Sequence, residues 1–175
     1  MKGTKWGKMY DQSIIDIFQL GVRSIRYSCI KECYWEAPDQ GFILFCCDSS
    51  SFGNPGAAGF GIIVRDSKCE VVGAMSVGVG SATNYIAEIL AVICALEWDF
   101  FLNAFKIIIR SDSKTVIHDF CNDNIPWMFR TRWINAKNRL GCIVFQHSYR
   151  ETNFSADDLA KKGTSIQAGE RVIYS

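Results

Sequence analysis

Phe42-Ile43-Leu44-Phe45-Cys46-Cys47-Asp48 is six apolar residues closed by a carboxylate. An unbroken apolar run of that length, rich in aromatics, reads as a strand buried on both faces. It leaves Asp48 at a strand end. Ile107-Ile108-Ile109 makes a shorter apolar run inside a strand over Lys106–Arg110, with Asp112 just beyond it. Carboxylates so far apart in sequence matter only if the fold brings them together.

The rest of the chain supplies the remaining layers. Ser49–Gly56 reads as a loop, with Gly53-Asn54-Pro55-Gly56 as its turn. Gly59–Arg65 and Val71–Val79 read as strands joined by a hairpin at Asp66-Ser67-Lys68. Thr83 or Asn84 can cap a helix over Tyr85–Phe101, nearly all apolar and therefore buried. After the strand Lys106–Arg110 come helices over Ser113–Cys121 and Trp127–Leu140. A strand over Cys142–Gln146 and a closing helix over Asn153–Lys162 follow. Strands first, then strands alternating with helices, predict an α/β fold: a five-stranded mixed sheet with helices on both faces.

Three regions are expected. Residues 1–40 form a helix and linker, with Ile14, Ile15, Ile17, Phe18 and Leu20 as an amphipathic stretch ending in turn-rich sequence. Residues 41–165 form the domain, and 166–175 a tail. The 175 residues are 49% apolar and 21% charged, which suits a globular domain with a proper core. No run is apolar enough for a membrane span, since Glu88, Glu97 and Asp99 break the longest candidate. The start shows no secretory signal, so an intracellular setting, nuclear or cytoplasmic, is expected. Eight cysteines lie mostly inside apolar runs, as small packing residues in a reducing compartment do. Cys29 and Cys33 lack the second pair that a structural zinc site needs.

The net charge of +1 excludes a uniformly basic nucleic-acid binder. Residues 101–150 nevertheless hold eight Lys or Arg against three Asp, with Arg130, Arg132, Lys137 and Arg139 clustered. A polyanion would be drawn there. A solvated helix face has the same composition.

Each acid has two readings. Glu88 is either buried among Ile86, Ala87, Ile89 and Leu90, needing a cation, proton or metal, or exposed at a helix start. Glu97, nine residues on, faces about 180° away. Asp48 and Asp112 are either ligands at strand ends or turn and cap residues. Asp157 and Asp158 fit a first helical turn, with Ser155 and Asp158 spaced as a capping box.

Taken together the residues resemble the ribonuclease H family, type 1. Gly53-Asn54-Pro55-Gly56 follows Asp48 at the family's spacing, and Glu88 follows Asn84 by four. Asp112-Ser113-Lys114-Thr115-Val116 resembles the element after the family's fourth strand. His147 precedes Asp157 by ten, with Asn153 between and Leu159-Ala160 after. The stretch Tyr149–Ala160 resembles the plant retrotransposon-derived branch, and Trp35-Glu36-Ala37-Pro38 resembles that branch's linker. The match runs from Phe42 to Gly163.

The resemblance implies a metal-dependent endonuclease that cuts the RNA strand of RNA–DNA hybrids as a monomer. Asp48, Glu88, Asp112 and Asp157 would hold two Mg²⁺ ions, with Mn²⁺ as a substitute, and His147 would aid proton transfer. Oxygen ligands suit such ions, which lie about 3.5–4 Å apart in two-metal sites. Asn54 and Asn84 would contact the substrate backbone and sugars, with Ser49, Ser113 and Asn153 also against substrate. Ser49 stands where the family has glycine, so its Cβ is expected to crowd an approaching phosphate. That departure keeps open a non-catalytic, transposon-derived domain that only binds nucleic acid.

Overall fold

The computed structural model describes residues 17–18, 32–102 and 104–174. The amphipathic stretch over residues 14–20 lies outside them apart from Ile17 and Phe18, as does Cys29. Strands β1 (Ile43–Gly53), β2 (Gly56–Arg65) and β3 (Val71–Ala82) precede helix α1 (Asn84–Leu102). Then come β4 (Lys106–Ser111), α2 (Lys114–Cys121), α3 (Trp127–Arg139), β5 (Cys142–His147), a short 3₁₀ turn (Arg150–Thr152), α4 (Phe154–Gly163) and β6 (Arg171–Tyr174).

The sheet order is β5-β4-β1-β2-β3-β6. β1 runs parallel to β4 and antiparallel to β2, and β4 runs parallel to β5. β1 thus sits between the parallel and antiparallel halves, which is why its sequence is apolar without alternation. Phe45, Cys47, Ile62, Val64, Ile107 and Ile109 face α1, α2 and α3. Leu44, Cys46, Ile63 and Ile108 face Ala156 and Leu159 of α4. Phe45, Ile62 and Ile109 have no exposed surface, and each such side chain contributes about 1.5–3 kcal/mol by leaving water.

Helix α1 starts where the sequence allows it. The Ile86 amide donates to Thr83 Oγ1 (3.3 Å), so Thr83 rather than Asn84 is the cap. Its Glu97 is paired with Arg132 of α3 at 2.6 and 2.7 Å, on the side away from the sheet.

Two sequence expectations are corrected. Residues 49–53 are not loop but the outer half of β1, paired with β2 as far as Gly53↔Gly56 around an Asn54-Pro55 turn. This ribbon runs past the core, so its serines and glycine look like loop composition. The sheet has six strands, because β6, within the expected tail, pairs antiparallel with β3 from Ala74↔Tyr174 to Val77↔Arg171. Arg171, Val172 and Ile173 are all exposed, so no burial pattern marks the strand. The described residues from Cys33 onward belong to one compact unit. Within it, the Arg65 and Arg110 guanidinium groups lie 5.8 and 5.9 Å from the Trp35 ring centre. Arg110 also donates to the Glu36 carbonyl at 3.0 Å.

Close approach of α4 to the sheet depends on two glycines of β2. A Cβ on Gly61 would lie 2.5 Å from the Ala156 carbonyl oxygen and the Ala160 nitrogen, and one on Gly59 2.2 Å from the Gly163 backbone. Gly61→Val should therefore lose about 2 kcal/mol or more of stability in urea unfolding. An unchanged midpoint would show that α4 is not seated this way.

Candidate active site

Parallel pairing of β1 with β4 sets the middle of β1 beside the carboxyl end of β4. Cys47 pairs with Ser111, so Asp48 and Asp112 are the next residues on adjacent strands. Glu88, in the second turn of α1, reaches the same place from the helical layer. Carboxylate oxygens of Asp48, Glu88 and Asp112 all lie within 4.8 Å of one another. Asp48 is 2% exposed and Glu88 6%.

Like charges this close, out of water, hold protons tightly. Burial first, then the charges of Glu88 and Asp112, push the Asp48 carboxyl up to about 8, although the Ser49 amide bonds its Oδ1 at 2.7 Å. Burial likewise pushes Glu88 up to about 7, with the Ser49 hydroxyl opposing it and Asp112 adding to it. Asp112 is raised by burial against the opposing charge of Arg150. Asp48 Oδ2 is buried without a hydrogen-bond partner. Three converging carboxylates, one with an orphaned oxygen, are a donor set that fits a hard divalent cation.

Two serines hold Glu88 in place. Ser49 Oγ donates to Oε1 at 2.9 Å and Ser111 Oγ to Oε2 at 3.3 Å. Ser49 follows the strand alternation of Phe45 and Cys47, so its side chain turns toward α1 and is 4% exposed. The expectation that Ser49 meets substrate and crowds a phosphate is therefore corrected: its hydroxyl is spent on Glu88.

Asp157 does not join the three-acid cluster. Arg150 Nη2 donates to its Oδ1 at 2.8 Å and Lys161 Nζ donates to its Oδ2. Partial burial would raise its carboxyl, but these two cations outweigh burial and hold it below the usual range. The capping box does not form; Asn153 occupies the cap position and Asp158 is exposed. His147 ends β5, with Nε2 3.2 Å from the Asp112 carbonyl oxygen and its ring edge-on to Tyr149 at 5.6 Å.

The remaining polar residues divide by exposure. Asn54 Oδ1 accepts from the Asn84 amide (3.2 Å), and Ser51 Oγ donates to Asn84 Oδ1 (3.0 Å). Asn54 and Asn84 are exposed, forming a polar ridge beside Glu88. Ser113 caps α2, accepting from the Val116 amide at 3.5 Å. Asn153 is 2% exposed and donates to the Cys47 carbonyl at 2.9 Å. This bond latches α4 to β1, while Asn153 Oδ1 is buried without a hydrogen-bond partner. Of the basic cluster, Arg132 is engaged with Glu97 and Lys137 with Asp123.

Ser111, Arg150 and Lys161 were not singled out from the sequence. Lys161 had a signal, standing four residues after Asp157 on an expected helix. Arg150 and Ser111 had none apart from proximity to an acid.

Residues 47–163 match the family model described as reverse transcriptase-like. The chain belongs to this family. Its reverse transcriptase-like segment is a ribonuclease H type domain. It is 29% identical over 141 residues to an Arabidopsis thaliana protein named "Putative ribonuclease H protein", covering 77% of this chain and 22% of that one. It is 37% identical over 97 residues to the ribonuclease H of Baumannia cicadellinicola, covering 55% and 58%. The chain thus spans less than two thirds of the length of either relative. RNase H1 of the archaeon Halobacterium salinarum superimposes with a TM-score of 0.66 at 28% identity, covering 71% of this chain and 98% of that one. LC11-RNase H1, solved in complex with an RNA/DNA hybrid, gives 0.62 at 26%, covering 70% and 96%. Among the described residues no helix is long and apolar enough to cross a membrane.

Two expectations follow from the site. Because the folded carboxyls of Asp48 and Glu88 are raised above their unfolded values near 4, the stability they support is complete below about pH 4. It is lost as pH rises through about 7 to 8. The melting temperature of metal-free protein should fall across that window, and Asp48→Asn should flatten the fall; a pH-independent value would contradict the cluster. Asn153→Ala should cost about 1–3 kcal/mol in urea unfolding by breaking a buried bond, whereas Asn84→Ala should stay within about 0.5 kcal/mol.

Proposed function

We propose that the chain is a divalent-metal-dependent ribonuclease that hydrolyses the RNA strand of RNA–DNA hybrids. The observation that carries this reading is the triad of buried Asp48 and Glu88 with half-buried Asp112, gathered where the middle of β1 lies beside the carboxyl end of β4. Its position in a ribonuclease H type domain adds support. Asp48, Glu88, Asp112 and Asp157 are the residues that would hold the ions, with Mg²⁺ the first choice for an all-carboxylate set. Such ions, when bound, activate water and stabilise the leaving oxygen at a phosphodiester.

The chain's own residues do the rest. Ser49 and Ser111 keep both oxygens of Glu88 oriented. The exposed Asn54–Asn84 ridge offers amide groups to a sugar–phosphate backbone, where the 2′-hydroxyl distinguishes RNA. His147, half-buried beside Asp112, is placed to pass a proton between the reacting oxygens and solvent. All these groups come from one chain, in keeping with a monomeric working unit. The described cysteines are all unbonded thiols, which favours a reducing, intracellular setting.

A second reading, nucleic-acid binding without cleavage, draws on Asp157, whose two oxygens are both occupied by cations. Cleavage of a labelled hybrid separates the two. Cutting is expected with Mg²⁺ and none with chelator. Asp48→Asn should reduce cutting to background while leaving the metal-free melting temperature equal or higher. Binding without cutting would favour the second reading. Mg²⁺ should also stabilise the wild type, by about 2.7 kcal/mol at a hundred times its dissociation constant.

A further inference from the structure

Asp157 differs from the other three acids in being neutralised, with a cation on each oxygen. The two cations are not equivalent. Lys161 lies one turn further along the same helix and is also 3.6 Å from Asp158, so the register of α4 keeps it there. Arg150 stands outside the helix, on the 3₁₀ turn before it, with a side chain 64% exposed. Its guanidinium has five N–H donors, and Asp157 is its one hydrogen-bond partner among the described residues. The side chain is mostly exposed, which leaves its other donors without a partner among the described residues. The same charge opposes the rise of Asp112 and is itself favoured first by Asp157, then also by Asp48 and Asp112. Arg150 is thus an exposed counterion of the whole site.

A divalent ion held by Asp157 would compete with the guanidinium for its carboxylate. A guanidinium displaced from a carboxylate is suited to a phosphate, because its planar fork matches two oxygens of either group. We propose that Arg150 is an exchangeable counterion, which neutralises Asp157 in the metal-free protein and passes to a phosphate oxygen of the nucleic-acid backbone when a divalent ion takes Asp157. This rests on the nuclease reading above. No covalent bond changes in the exchange; one ion pair is traded for another.

The full chain carrying Arg150→Gln or Arg150→Lys tests this with MgCl₂ and a defined RNA–DNA hybrid. Without nucleic acid, Mg²⁺ binding followed by thermal shift should tighten about three- to tenfold in Arg150→Gln, because a competitor is gone, and stay near wild type in Arg150→Lys. With the hybrid, Arg150→Gln should raise KM about tenfold and change kcat much less. Its plot of log affinity against log salt should be shallower by about 0.7–0.9, one phosphate contact. Arg150→Lys should keep the salt slope but recover only part of KM, since a point charge replaces a fork.

Unchanged or weaker Mg²⁺ binding in Arg150→Gln would overturn the exchange and make Arg150 a fixed support for Asp157. Unchanged KM and salt slope would overturn the phosphate contact. If the wild type does not cut, the nuclease reading fails, yet Mg²⁺ and hybrid binding still decide the role of Arg150. If the wild type cuts and Arg150→Gln matches it in every readout, this inference alone fails.

Discussion

Mutual repulsion among Asp48, Glu88 and Asp112 is the constraint around which the domain is arranged. Their oxygens lie within 4.8 Å of one another, mostly out of water. Such a cluster persists only because each acid stands on a rigid element: the middle of the sheet, the main buried helix and the end of a parallel strand. Hydroxyls on Glu88 and a backbone amide on Asp48 offset part of the cost. Burial first, and neighbouring carboxylates after it, raise the Asp48 and Glu88 carboxyls. A divalent cation would relieve the same repulsion.

The fourth acid shows a different solution to the same field. Asp157 comes from α4, on the other face of the sheet, and has Arg150 and Lys161 in place of protons. Its location depends on α4 lying close against β2, which Gly59 and Gly61 permit. The helix is then pinned by Asn153 to the Cys47 carbonyl and by the Ser76 hydroxyl to the Leu159 carbonyl. Packing on one face thereby sets the position of charge at the site. A substitution at Gly61 would act on the site without touching it.

Much of this was legible in the sequence where burial leaves a pattern. The runs before Asp48 and Asp112 read as buried strands because both faces are covered. Thr83 and the apolar stretch after it announced α1. Legibility failed where an element is exposed or its polar residues point inward. Residues 49–53 and 171–174 are strands stabilised by backbone pairing, which composition does not report. Ser49 looked like an obstruction to substrate, since spacing could not say that its hydroxyl turns inward to Glu88. The bond from Asn153 to the next layer leaves no mark in the spacing, since only its burial reveals it. Trp35 reads as linker by composition, since its contacts with Arg65 and Arg110 are made only in the fold.

The sequence by itself determined the buried strands, the helices and the candidate acids, because hydrophobic periodicity and a carboxylate next to an apolar run are local properties. Tertiary structure decided which acids share one space. It grouped Asp48, Glu88 and Asp112, and it tied Asp157 to two cations. Distances between residues 24 to 109 positions apart follow from strand order and helix packing. Charge obeys those distances and not the spacing along the chain.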